Sequence, residues 1–423
     1  MGQTPVRQDI ATLPPERLAS LEAAIGEMQR RSKVNPDDPS GWRANAWTHT
    51  QVCALISNAD EAQVHGGWWF LPWHRAYLAV TEMKLRAISG DPHLAFPYWN
   101  WSSDRTIPAP FAEPESPLAQ AIRYTPNRPL HPAEVDRLTH DPALARLGVA
   151  ALGAEIFEAD SPERIPASFG GIAKPNAGGW HGRNRLEGIP HTSIHNYVGG
   201  ERADGSLGDM TELATAGLDP VFFAHHANLD RLWERWRRDP QRRATEPTVA
   251  AFTDKTFVFP WLDGTIVTIS VADTLQMERL GYAYDSLSVF RDETPPAADD
   301  APVDLSRRPM AVETLWLPSA ASAAGRYTLK MSGVLPAPRP MTVEMTVAAP
   351  GDPASAIVVG AFAAGRRHSP AVFPDTEQRF DITAAVKRLA TPAVVVSVLP
   401  LALSADPIGA PPFTYDGMWV EVA

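Results

Sequence analysis

The stretch that decides the fold is VHGGWWFLPWHRAYLAVTE, residues 64–82. It sets His65 and His74 nine positions apart, with three tryptophans and a phenylalanine between them. From about Pro72 to Ile88 the apolar spacing predicts a helix, stopped by the turn residues SGDP. Imidazoles inside so much aromatic surface are either satisfied core histidines or ligands of a metal site kept dry.

Composition narrows the choice. The chain has 423 residues, 44% hydrophobic and 21% charged, enough to bury a large core. A net charge of −11 without a basic run excludes nucleic acid and an anionic membrane surface as the main partner. No window approaches the roughly 18 consecutive apolar residues of a membrane span. The opening MGQTPVRQDIATLPPER lacks the basic and apolar regions of a secretory signal, so a cytoplasmic protein is expected. A single cysteine, Cys53, rules out an internal disulfide framework and a zinc site built on several thiolates. The 41 prolines imply many irregular connections.

Working outward, PPERLASLEAAIGEMQRR (14–31) predicts an amphipathic helix with Leu18, Leu21, Ile25 and Met28 on one face. Further helices are expected from His49 to about Ile56, within 141–159, over 190–198 and over 219–238. After Thr248 the pattern turns to strands, with a β-rich segment at about 252–285. ETPPAADDAPVDLSRRP (293–309) reads as a linker. Beyond it, short strand-like runs recur at turn spacing, the pattern of an all-β sandwich or barrel. The expected architecture is a mainly helical domain over 1–292, a helical bundle with long loops. The linker and a sandwich-like β domain over 310–423 follow it.

Seven of the twelve histidines fall in or beside the predicted helices: His49, His65, His74, His191, His195, His225 and His226. His191 and His195 stand four apart, so one helix face presents both. No Glu-x-x-His pair of the di-iron type accompanies them. Imidazole suits zinc, copper, iron or nickel, and histidines from three helical segments without carboxylates point to copper, as a pair of ions.

Two motifs now carry a resemblance. HGGWWFLPWHRAYLAVTE, with its aromatic-His-Arg and Glu82 eight residues on, resembles the first copper motif of the tyrosinase and polyphenol oxidase family. DPVFFAHHANLD resembles the second, which places a histidine, here His226, four residues before an aspartate, here Asp230. Both match without gap or substitution. The resemblance implies a dicopper centre, with His49, His65 and His74 on one ion and His191, His195 and His226 on the other. His225 and Asp230 then stand behind the ligands, Asp230 either orienting an imidazole or pairing with an arginine such as Arg231 or Arg235. Cys53 takes the place of the cysteine that plant-type members join by thioether to the middle histidine, here His65; the alternative is a buried thiol. Arg7 is expected to meet Tyr282 and Tyr284 in the Tyr-x-Tyr of LGYAYD.

The family's chemistry is oxidation of o-diphenols to o-quinones with O2, some members also hydroxylating monophenols. Glu187 stands where the family holds a water that deprotonates monophenols. Thr192 stands where an asparagine helps it, and a hydroxyl is a poorer orienter than a carboxamide. Strong diphenol oxidation with weak or no monophenol hydroxylation is expected. Met210 and Leu213, in the loop before DPVFFAHH, are the expected gate residues in place of a phenylalanine. The β domain resembles the region that covers the site in latent members. Small phenols are the implied partners. The alternatives are a tyrosinase with full monophenol activity, an o-aminophenol oxidase, and, in a different class, an oxygen carrier like the hemocyanins.

Overall fold

The computed structural model describes residues 4–53, 64–104, 107–119, 121–123, 152–160, 168–173, 184–200, 204–291, 311–318, 325–332, 341–364, 378–401, 415 and 417–422. It begins with a two-residue strand β1 (Val6–Arg7), followed by helices α1 (Pro15–Val34), α2 (Trp42–Cys53) and α3 (Phe70–Ser89). α1 starts on Pro14 and Pro15 and ends near Arg31 and Lys33, signals suited to its two ends. It buries Leu21, Ala24, Ile25 and Met28. α2 starts well before His49, and the end expected near Ile56 lies outside the described residues. α3 stops at Gly90, whose φ of +72° suits a residue without Cβ, while its N–H reaches the Arg86 carbonyl at 2.9 Å.

The segment expected as a helix over 190–198 opens as a π-turn (Glu187–His191) with Pro190 inside, then continues as α4 (Thr192–Gly199). α5 (Val221–Arg237) follows, its first N–H taken by the Asp219 carboxylate at 3.0 Å. Of the helix expected within 141–159, residues 141–151 lie outside the described residues, as does the 293–309 linker.

The β-rich segment is a hairpin of β2 (Thr256–Pro260) and β3 (Ile266–Ser270). VADT then forms a helical turn, because Ser270 and Asp273 make a reciprocal capping box there. β4 (Ala283–Tyr284) pairs in parallel with β1, setting Arg7 opposite Tyr284.

The C-terminal region is all β apart from one helix. β5 (Ala311–Trp316), β6 (Tyr327–Ser332), β7 (Met341–Ala349), β8 (Asp352–Ala364), β9 (Gln378–Asp381), β10 (Ala393–Leu401) and β11 (Gly417–Val422) form sheets of order β5-β10-β7-β8 and β11-β6-β9. Alternate residues turn inward, as a strand requires: Val343, Met345 and Val347 from β7, Val394, Val396 and Val398 from β10, Leu329 and Met331 from β6. Both sheets feed one core, which makes a sandwich-like body. The strand-like run QRFDITAAV (378–386) is only half strand, because Thr383–Leu389 forms α6 and tucks Ala385 and Val386 into that core.

A separate, aromatic-rich core holds the helices together, with Trp73, Trp99, Trp101 and Trp233 fully buried. β8 runs against the π-turn and β7 against α4, so the second body lies over that helix. No helix among the described residues is long and apolar enough to cross a membrane.

Candidate metal centre

Several elements deliver imidazoles to one buried region. His49 comes from α2, His74 from α3, and His65 from the turn that precedes α3. His191 closes the π-turn, His195 lies one turn on in α4, and His226 comes from α5. The ligand atoms of His49, Cys53, His65 and His74 all lie within 4.8 Å of one another, and so do those of His191, His195 and His226. The groups adjoin: the His74 and His226 rings stack with centroids 4.3 Å apart, and His65 and His191 are 5.6 Å apart.

Backbone carbonyls settle two tautomers. His74 Nδ1 lies 2.8 Å from the Phe70 oxygen and His195 Nδ1 lies 2.6 Å from the Met210 oxygen. A carbonyl only accepts, so each Nδ1 carries the proton and each Nε2 presents a lone pair. Nε2 of His74 and both ring nitrogens of His191 are buried without a hydrogen-bond partner. His195 Nε2 faces His226 Nε2 at 3.3 Å. That is close to the edge of a tetrahedron built on metal–nitrogen bonds of about 2.0–2.1 Å. Burial, and then the mutual repulsion of their charged forms, holds His49, His191 and His226 far below the usual imidazole range; burial also lowers His74 to about 3. All four are neutral at pH 7, the form a metal requires. The donor set therefore suits a pair of copper ions.

The walls are aromatic. Phe70 packs at 4.7 Å from both His74 and His191 and 5.4 Å from His65. Phe222 packs at 4.9 Å from His49 and 4.1 Å from His226. Phe70 lies in the aromatic run that the sequence offers as a dry wall, but sequence reasoning missed Phe222, although it lies four positions before the ligand His226 on the same helix. That spacing was the available signal.

The remaining expected residues fall as follows. His225 lies behind the second group, its Nδ1 accepting from Trp101 Nε1 at 3.2 Å and its ring 5.3 Å from that of His195. Cys53 is buried beside the first group. Met210 is buried and serves His195 through its carbonyl, while Leu213 is half-buried with its backbone against His49. Glu187 is fully buried, with both oxygens 3.0 Å from the Gly66 N–H. Thr192 Oγ donates to the Glu187 carbonyl at 2.9 Å.

Asp230 makes its ion pairs with Arg7 at 2.9 Å and Arg75 at 2.5 Å, in place of the expected Arg231 or Arg235. The Tyr282 and Tyr284 hydroxyls each donate to it at 2.7 Å. Burial would raise its carboxyl, but Arg75, Arg7 and the two hydroxyls outweigh that and hold it below the usual range. Arg7 also pairs with Glu82 and stacks on the Tyr282 ring at 3.6 Å, so it does meet the Tyr-x-Tyr. Arg75 reaches Glu234 at 2.7 Å. These groups join β1, α3, α5 and β4 directly beneath the ligands His74 and His226.

A helical domain that gathers two histidine groups for paired copper ions defines the class of protein. Residues 39–239 match the common central domain of tyrosinase. That matched segment, the one that carries all six histidines of the two groups, belongs to the tyrosinase and polyphenol oxidase family. A chloroplastic polyphenol oxidase of Malus domestica is 29% identical over 290 residues, covering 66% of this chain and 49% of that protein. One of Vitis vinifera is 30% identical over 290 residues, covering 65% and 46%. The chain thus spans about half the length of these relatives. Latent apple tyrosinase superposes with a TM-score of 0.72 over 100% of this chain and 98% of that one, at 23% identity, a likeness of fold.

The cytoplasmic expectation is overturned. The relatives are named chloroplastic, which points to a plastid, and a chain spanning half their length says nothing about a leader by where it starts.

Proposed function

We propose that the protein oxidises o-diphenols to o-quinones with O2, holding one copper ion on His49, His65 and His74 and a second on His191, His195 and His226. The carrying observation is the convergence of two groups of imidazoles from separate parts of the fold, without a carboxylate in either group. Copper, when bound, supplies the redox chemistry that exchanges electrons with diphenol and O2. The chain's own residues do the rest. The Phe70 and Met210 carbonyls fix the His74 and His195 tautomers. Phe70 and Phe222 wall the two groups and exclude water.

Small phenols are the substrates in this proposal, with weak or no monophenol hydroxylation. The Thr192 hydroxyl is already committed to the Glu187 carbonyl, which supports its being a poor orienter of a water at Glu187. The thioether of the proposal joins Cys53 to His65 and stops the ring from rotating; the nearness of the Cys53 sulfur to the first histidine group supports it. Leu213, half-buried on the His49 side, is favoured over the buried Met210 as the gate. His225 and Asp230 hold the frame behind the ligands. The domain division is part of the proposal: 1–292 catalytic, 293–309 linker, 310–423 shield. The approach of β7 and β8 to the helix carrying His191 and His195 supports the shield.

Copper stoichiometry with catechol turnover tests the function. Two ions per chain and quinone formation are expected; a chain that binds copper but leaves catechol unoxidised both before and after cleavage within 293–309 overturns it.

A further inference from the structure

Position 192 lacks the asparagine that the resemblance led one to expect, yet the structure brings another carboxamide to the same glutamate. Asn184 is buried, three residues before Glu187. Its Oδ1 accepts the Glu187 N–H at 2.9 Å, and its Nδ2 donates to Glu187 Oε2 at 3.4 Å. The Asn184 carbonyl also takes the Gly188 N–H at 2.8 Å, so this residue opens the helical segment. The glutamate it grips spans the centre: Glu187 lies one turn before His191, and its oxygens hold the N–H of Gly66, the residue after His65.

The surroundings are built to keep the carboxamide there. Gly171, at φ +96°, passes so close that a Cβ on it would stand 3.3 Å from the Gly67 carbonyl carbon and 3.5 Å from Asn184 Nδ2. The same short segment bonds to both sides of the contact. The Ser168 carbonyl takes the Arg185 N–H at 2.9 Å, and the Ile172 carbonyl takes the Trp68 N–H at 3.1 Å. A carboxamide whose oxygen and nitrogen both serve one neighbour has a single productive orientation, and it transfers that orientation to the carboxylate.

We infer that Asn184 is the positioning residue for Glu187: its amide aims the carboxylate at the Gly66 N–H and so locks the turn carrying His65 to the helix carrying His191. This rests on the role proposed for Glu187 but is measurable apart from it. The test uses the metal-free full chain and amide hydrogen exchange resolved at Gly66. Asn184→Ser keeps an oxygen for the Glu187 N–H and removes the Nδ2 donor; Asn184→Thr, likewise uncharged, does the same should the serine variant not fold. Each is expected to speed exchange at Gly66 at least about fivefold, the scale set by one lost hydrogen bond. Glu187→Gln should speed it as much, and Asn184→Ser added to Glu187→Gln should do nothing further. A folded Asn184 variant with parental exchange at Gly66, or one whose effect persists undiminished beside Glu187→Gln, overturns the inference, since a mere helix cap would behave that way. Phenol turnover by copper-loaded Glu187→Gln reports on the catalytic role of Glu187, and exchange at Gly66 reports on Asn184, so the two ideas fail separately.

Discussion

Replacing Asp230 with asparagine keeps the volume and removes the charge at the point where four elements meet. The carboxylate takes two guanidinium groups and two phenol hydroxyls at 2.5–2.9 Å, in a site where Arg7 and Arg75 are 0% exposed. Breaking a buried ion pair from one side costs about 3–5 kcal/mol. The low end applies here. Arg7 keeps Glu82 at 2.8 Å, Arg75 keeps Glu234 at 2.7 Å, and the asparagine oxygen can still accept from a tyrosine. About 3 kcal/mol in a domain of this size lowers Tm by about 6–12 °C. The comparison belongs in the metal-free protein, by thermal and urea unfolding at pH 7, so that copper affinity does not enter. The sign with pH is fixed as well. The folded-state pKa lies below the unfolded one, so the stabilisation is complete above about pH 4 and is lost only as pH falls through the lower folded value. The gap between parent and variant should be flat from pH 5 to 8. An Asp230→Asn protein melting within about 2 °C of the parent would refute the idea that this cluster ties the ligand helices together.

Thr192→Asn should raise monophenol hydroxylation relative to catechol oxidation; a ratio no higher than the parent's counts against the part given to position 192. Lys84 is buried in α3, its ammonium 3.0 Å from Asn45 Oδ1, and burial lowers its pKa to about 8. Its folded pKa is below the unfolded one, so the folded state sheds its proton first. The parent should then gain up to about 3 kcal/mol relative to Lys84→Met between pH 8 and 10.5, and a constant difference in urea unfolding would contradict this. Peptide mapping of copper-loaded protein should find Cys53 and His65 joined and lighter by two hydrogens. Recovery of Cys53 as an alkylatable thiol would leave it a buried hydrophobe. Cleavage within 293–309 should raise catechol turnover if the β body shields the site, and unchanged turnover would make that body purely structural.

The helices that carry ligands were legible because their periodic apolar faces are long and their stops, such as Gly90, are local signals. The π-turn was not. Pro190 reads as a helix start, and only the fit of Glu187 against Gly66 selects the wider turn. The short helix at Val271 was missed for the opposite reason, since the β-branched residues before it outweigh a four-residue capping box in a pattern search, and the helix at Thr383 was hidden in the same way behind a strand-like run. The ligand histidines were legible as types at spacings. The partners of Asp230 were not, because Arg7 and Arg75 are 223 and 155 residues away and sequence offered nearer arginines on the same helix.

That difference bears on what sets the distance between the two histidine groups. No single helix carries ligands for both groups, so local geometry cannot hold one relative to the other. Among the described residues the contacts that cross between them include ring contacts such as the stacked His74 and His226, the phenylalanine walls, and the Glu187 carboxylate on Gly66. Beneath them Asp230 joins Arg75, the residue after His74, to the turn that follows His226. Ring stacking and apolar walls tolerate sliding by a few tenths of an ångström, whereas a charge-assisted hydrogen bond fixes direction as well as distance. Register should therefore depend on the carboxylates at 187 and 230 more than on the aromatic residues that dominate the sequence motif. Phe222→Leu should lower copper retention less than Asp230→Asn does. The reverse order, measured by dialysis against a chelator, would place control of the spacing in the aromatic wall.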